Sequence, residues 1–232
     1  MQLLLLSNST APGRAYLEHA GEAIAEVLDG RTELVFVPFA LAEHDAYTAQ
    51  VATALEPLGV TVTGAHTGDA AALVKDAEAI FVGGGNTFRL VAGLHRRGLI
   101  TAIREAAAAG TPYIGSSAGS NVATPSLKTT NDMPIVEPSS FETLGLVPFQ
   151  INPHYLDPDP SMTHQGETRE LRLLQFLEEN PGPVLGMREG TWLRLRGETL
   201  ALGGEAYGAR LFARGSDPEE IPTGSDLSRL LG

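Results

Sequence analysis

Tyr113-Ile114-Gly115-Ser116-Ser117-Ala118-Gly119-Ser120-Asn121 joins a short apolar run to a string of small residues. The run, Tyr113–Gly115, reads as a buried strand, and the residues after the turn as the start of a helix. Gly115-Ser116-Ser117-Ala118-Gly119 is therefore a G-x-S-x-G sequence in a strand–turn–helix setting, the pattern of a nucleophile elbow. Small residues at 115 and 119 let the backbone turn sharply. Ser117, at the strained centre, is lifted above the sheet, and the N–H of Ala118 is left free at a helix N-terminus to receive an oxyanion. The bland alternative is that Gly, Ser and Ala merely make a tight turn.

Working outward, the same alternation recurs. Leu3–Leu6, Leu34–Val37, Val60–Val62 and Ala79–Val82 read as strands, and Tyr16–Leu28, Tyr47–Leu58, Ala70–Ala77, Thr87–His95 and Leu99–Ala109 as helices. This predicts an α/β fold, a doubly wound, mostly parallel sheet flanked by helices. Further on, Val147–Ile151 reads as a strand and Glu167–Glu179 as a helix stopped near Pro181. Val184–Met187, Thr191–Leu195, Thr199–Leu202 and Ala209–Phe212 look like a small antiparallel C-terminal β extension, followed by a tail that is either a mobile end or a capping turn. No repeat, low-complexity tract or linker divides the chain, so one domain over residues 1–232 is expected.

The composition narrows the chemistry. With 16 Lys and Arg against 28 Asp and Glu the net charge is −12, which argues against a nucleic-acid partner, because duplex affinity rests on a basic surface. The absence of Cys removes disulfides, thiolate metal sites and cysteine nucleophiles together. No apolar run approaches the roughly 18 residues of a membrane span and no basic leader opens the chain, so a cytoplasmic protein without a membrane partner is expected.

In a doubly wound sheet the ligand site lies at the carboxyl ends of the strands. Of six histidines only His154, in Asn152-Pro153-His154, follows a strand downstream of Ser117 on that face, which makes it the candidate base, with a capped loop residue as the alternative. His19, His44, His66, His95 and His164 are expected at the surface. Asp132, in Thr129-Thr130-Asn131-Asp132-Met133-Pro134, is the first candidate to orient the imidazole, with Glu137 and Glu167 also open. Gly83-Gly84-Gly85-Asn86-Thr87 has no Lys after its glycines and is no phosphate loop. Its backbone N–H groups make Gly85 or Asn86 candidates for a second oxyanion donor beside Ala118. His154, Asp157, Asp159 and His164 fit no metal-ligand spacing, so neither metal nor cofactor is expected.

Taken together and in order, GGGNT, GSSAGSN, TTNDMPIV, INPH and GETRE, with the opening LLLLSNST, resemble the peptidase E (aspartyl dipeptidase) family of serine peptidases. The resemblance covers residues 3 to about 170. It implies a fold like that of class I glutamine amidotransferases, with Ser in place of their Cys at the elbow. It also implies Ser117 as nucleophile, His154 as base, Asp132 as third member, and metal-independent release of an N-terminal aspartate from Asp-X dipeptides. The chain departs from the commonest family elbow in carrying Ser116 where Trp is frequent and Ser120 where Ala is frequent, and a small residue at 116 is expected to widen the pocket.

An acidic protein that binds an acidic peptide needs locally concentrated positive charge. Arg169, in Gly166-Glu167-Thr168-Arg169-Glu170, is the candidate, since guanidinium holds a carboxylate through two parallel hydrogen bonds; by position alone, pairing with Glu170 is the alternative. Asn8, Ser9 and Glu167 are candidate acceptors for the substrate's α-amine. Rival functions are a related serine exopeptidase, cyanophycinase-like or broader in specificity, and a non-catalytic small-molecule binder that keeps the elbow as a turn. Leu and Val on the C-terminal strands leave a homodimer open.

Overall fold

The computed structural model describes residues 1–11, 13–158, 161 and 166–232. Strands β1 (Gln2–Leu6), β2 (Glu33–Val37), β3 (Thr61–Gly64), β4 (Ile80–Val82) and β5 (Tyr113–Ser116) alternate with helices α1 (Gly21–Leu28), α2 (His44–Leu55), α3 (Ala70–Lys75), α4 (Thr87–Arg96) and α5 (Leu99–Ala108). These strands pair in parallel in the order β3-β2-β4-β5-β1. Their apolar runs are continuous rather than alternating because both faces are covered, one by α1 and α2 and the other by α3, α4 and α5. The α/β class expected from the sequence is the one observed.

After the short helix α6 (Ala118–Asn121) come β6 (Gln150–Asn152), α7 (Arg169–Glu179), β7 (Val184–Met187), β8 (Thr191–Arg196), β9 (Thr199–Gly204), β10 (Ala209–Phe212) and β11 (Glu219–Ile221). The C-terminal strands divide between two sheets instead of forming one extension. β8 and β9 continue the main sheet antiparallel to β1, whereas β6, β7, β10 and β11 form a second sheet. Within it β6 and β7 run parallel, with α7 as their crossover, and Asn152 stands opposite Gly186. One apolar core, including Leu3, Val82, Ile151, Leu185 and Leu211, runs between the sheets.

Two local expectations change. The first helix begins at Gly21 rather than Tyr16, because Leu17 adopts a left-handed φ of 61° that no α-helix continues through. The tail caps the fold: β11 pairs with β10, and Leu227 is buried with its N–H on Leu200 O at 2.7 Å. Among the described residues no helix is long and apolar enough to cross a membrane.

Candidate active site

β5 has β4 on one side and β1 on the other, so the turns after all three meet at one edge of the sheet. Ser117 lies there with φ 52° and ψ −110°, a conformation that costs a non-glycine residue about 1–3 kcal/mol. It is held by Ser117 N–H donating to Leu6 O at 3.0 Å and by Ser120 Oγ donating to Leu6 O at 2.6 Å. The elbow glycines are required by close approach. A Cβ at Gly115 would stand 2.6 Å from Gly119 O, and one at Gly119 would collide with Val82 O. Ser116 is fully buried within β5 and does not line the pocket, so its small side chain does not widen it.

His154 Nε2 lies 2.9 Å from Ser117 Oγ, and its Nδ1 lies 2.7 Å from Glu189 Oε1. The carboxylate can only accept, which assigns the proton to Nδ1 and leaves Nε2 to accept from the serine hydroxyl. The orienting position is thus occupied by Glu189, in the turn between β7 and β8. Asp132, Glu137 and Glu167 stand elsewhere. Asp132 Oδ2 accepts from Thr87 N (2.7 Å), Thr87 Oγ1 (2.6 Å) and Thr130 Oγ1 (3.2 Å); Glu137 is exposed, and Glu167 faces Arg172 at 3.6 Å on the surface.

The residues after β1 fasten this pair from below. Ser7 Oγ donates to Met187 O at 2.9 Å and accepts from His154 N–H at 3.0 Å, while Asn8 Oδ1 accepts from Gly190 N–H at 2.8 Å. Asn8 therefore holds the turn that carries Glu189 and does not face the cavity as an amine acceptor. His154 itself has a positive φ of 53°. Of the histidines expected at the surface, His19, His44, His66 and His95 are each only partly exposed, His66 with its Nε2 2.7 Å from the exposed Asp45; His164 lies outside the described residues.

Parallel pairing of β4 with β5 sets the glycine turn beside the serine: a Cβ on Gly84 would lie 3.0 Å from Ser117 Cβ. Gly83 N–H donates to Val37 O, and Gly84 N–H is directed at the Tyr47 hydroxyl. Asn86 N–H donates to Ala40 O at 3.1 Å, and its side chain caps α4 at Arg89 N and donates to Met133 O, which removes it as an oxyanion donor. The N–H groups of Gly85 and Ala118 have no acceptor among the described residues.

Ser117, Ala118 and His154 open onto a cavity of about 330 Å³ also lined by Thr87, Asn121, Thr130, Asp132 and Arg169. A larger apolar cavity of about 590 Å³ between α1 and α2 shares none of these residues. Arg169, the first residue of α7, is half-buried and forms no ion pair among the described residues; Glu170, its sequence neighbour, pairs instead with Arg210 at 2.8 Å. Burial pulls the Arg169 pKa below the usual arginine value, Arg172 adds to this, and Asp132 opposes it. Asp132 Oδ1 has no hydrogen bond among the described residues, so the cavity presents one cation and one carboxylate edge. Asp157 is bound to Arg188, Asp159 and His164 lie outside the described residues, and among the described residues no group of three or more acidic or histidine side chains is placed to hold a metal.

A serine hydroxyl on a strained strand-end turn, bonded to an imidazole that is bonded in turn to a carboxylate, defines a serine hydrolase built on a doubly wound α/β sheet. More narrowly, the chain belongs to peptidase family S51, whose description matches residues 3–203. It is 62% identical to peptidase E of Streptomyces coelicolor over 232 residues, all of this chain and 95% of that one. It is 49% identical over 233 residues to a Drosophila melanogaster protein named "probable alpha-aspartyl dipeptidase", covering 99% and 97% of the two chains. The crystal structure of a peptidase from an acI-B1 actinobacterium shares the fold, with a TM-score of 0.72 at 20% identity over 97% of this chain and 96% of that one.

Proposed function

We propose that this protein is a serine dipeptidase that cleaves Asp-X and releases aspartate. The observation that carries the specificity is the half-buried Arg169, without an ion pair among the described residues, in one cavity with Ser117, His154 and the Asp132 carboxylate. An N-terminal aspartate carries a carboxylate and an ammonium on adjacent carbons. Arg169 receives the first through paired hydrogen bonds, and Oδ1 of Asp132, unbonded among the described residues, accepts from the second. Binding an acidic residue thereby gives a partly desolvated cation, which Asp132 offsets only from a distance, an anion of its own. The names of the relatives point the same way.

In the reaction, His154 Nε2 takes the Ser117 proton as Oγ attacks the aspartyl carbonyl. Glu189 holds the Nδ1 tautomer and stabilises the imidazolium, and the N–H groups of Ala118 and Gly85 receive the oxyanion. Protonated His154 gives its proton to the departing amine of X. Water then attacks the acyl-enzyme, again losing its proton to His154, and Ser117 recovers its hydrogen as free aspartate leaves.

The test is chromatographic detection of aspartate released from Asp-Leu, with Asn-Leu, Glu-Leu, β-linked Asp-Arg and the Ser117→Ala protein in parallel and a chelator throughout. Release from Asp-Leu alone, lost in the variant, is the expected result. Preference for β-linked Asp-Arg would overturn the specificity, and undiminished turnover by Ser117→Ala would overturn the mechanism.

A further inference from the structure

Glu189 has no hydrogen-bonding partner but His154 among the described residues, and its side chain is 43% exposed. Nothing attached to the carboxylate itself explains why it stands 2.7 Å from the imidazole. Its place is set by the main chain of the β7–β8 turn, and the residue before it, Arg188, is the most heavily bonded side chain in that turn. Arg188 Nε and one terminal nitrogen form a bidentate pair with Asp157, both at 2.7 Å, and its other terminal nitrogen donates to Tyr207 O at 3.0 Å. Glu220 adds a contact at 3.0 Å. The Arg188 side chain is only 16% exposed, and Arg188 O accepts from Thr191 Oγ1 at 2.6 Å.

Asp157 lies three residues beyond His154 on the segment leaving β6, and Arg188 one residue before Glu189 on the segment leaving β7. The bidentate pair therefore joins the two segments that bear the base and its orienting acid. Ser7 joins the same segments through their backbones on the inner side. We propose that Arg188 is a positioning residue for the His154–Glu189 pair: clamped to Asp157, it fixes the carboxylate on Nδ1. The proposal rests on the serine-dipeptidase reading for its kinetic test. The charged groups around the clamp are Asp157 from the β6 segment, Glu220 from β11 and Arg210 from β10, the last with its Nε 3.3 Å from Glu220.

Arg188→Gln, which keeps a long polar side chain but loses the planar bidentate fork, should lower kcat on Asp-Leu about tenfold to a hundredfold with KM changed by less than about twofold, the scale of a displaced catalytic geometry. Asp157→Asn, cutting the clamp from the other side, should do the same to a smaller extent. Introduced into Glu189→Gln, Arg188→Gln should cost nothing further, because the group it positions is gone. The downfield His154 Nδ1 proton resonance should be sharp in the parent and broadened or lost in Arg188→Gln and Asp157→Asn, each checked as folded by its melting transition. An unchanged kcat, or a full additional loss in the Glu189→Gln background, overturns the proposal. If the parent releases no aspartate, the dipeptidase reading fails instead, and the proton resonance still decides the clamp: its persistence in both variants overturns it.

Discussion

Replacing Glu189 with Gln removes one negative charge and leaves the side chain's length. In the proposed acyl transfer His154 becomes an imidazolium with a carboxylate 2.7 Å from its Nδ1, which puts the charge centres about 4 Å apart. Unit charges at that distance attract by about 1 kcal/mol in water and about 4 kcal/mol at the effective dielectric of a protein surface. The side chains of His154 and Glu189 are 39% and 43% exposed, so both limits are relevant. The transition state should lose about 1–4 kcal/mol, a fall in kcat of roughly fivefold to a thousandfold. An exposed pair is expected to lose less than the roughly ten-thousandfold seen when a buried triad aspartate is neutralised. The amide also brings a donor that can face Nδ1 and force the proton to Nε2, where it blocks the serine. Glu189→Gln should therefore be no better than Glu189→Ala. Initial rates of aspartate release over a range of Asp-Leu concentrations separate kcat from KM, and the loss belongs in kcat. If both variants keep kcat within about threefold of the parent, Glu189 does not serve the imidazole.

Arg169→Ala should reduce discrimination for Asp-Leu over Asn-Leu by about 1–3 kcal/mol, the scale of a hydrogen bond to a charged group; equal selectivity in parent and variant would reject the carboxylate contact. Asp132→Asn should raise KM while leaving most of kcat, since it weakens the ammonium contact and leaves His154 oriented; a kcat loss at constant KM would return Asp132 to the orienting role. Gly119→Ala drives a methyl into the carbonyl of Val82, a backbone neighbour that cannot swing aside, and should cost about 1–3 kcal/mol or more in chemical denaturation; parental stability would contradict the packing. The Arg188 guanidinium holds the Asp157 carboxyl below its ordinary value of 3.8, and a depressed carboxylate pKa contributes stability above the unfolded-state value and loses it as pH falls through the folded one. The melting-temperature gap between the parent and Asp157→Asn should be open near neutrality and close below about pH 3.8; a gap constant with pH would exclude the ion pair as its source.

Ser117 and His154 were legible because each follows an apolar run at a strand's carboxyl end, where side chains of one face must converge. The parallel sheet was legible for a similar reason: runs such as Ile80–Val82, buried on both faces, show no alternation. Glu189 was hidden by topology. It sits in Met187-Arg188-Glu189-Gly190, and short apolar runs around a glycine turn look like an antiparallel hairpin whichever sheets their strands join. Only the parallel pairing of β6 with β7, which sets Asn152 against Gly186, places the ends bearing His154 and Glu189 side by side. The signal available in the sequence was the helix at 169–179 between two apolar runs, the form of a βαβ crossover. Asp132 was chosen on polarity and chain order, neither of which reveals that Thr87 and Thr130 claim one of its oxygens.

Both members of the hydrogen-bonded pair adopt positive φ, 52° at Ser117 and 53° at His154, each at a cost of about 1–3 kcal/mol for a side chain with a Cβ. Such conformations persist only where neighbours over-determine them, and here the restraints on both come from consecutive residues. Leu6 O accepts from Ser117 N–H and Ser7 Oγ accepts from His154 N–H, each at 3.0 Å. β1 is a central strand whose Leu3–Leu6 are at most 1% exposed, so its end is the least free to yield. Ser117 hangs from the main sheet and His154 from the second one, and the end of β1 is where the two are tied together. Relative placement of Ser117 and His154 is therefore a property of how the sheets dock, and a loosening of the core between them would reach the 2.9 Å hydrogen bond before it disrupted either elbow.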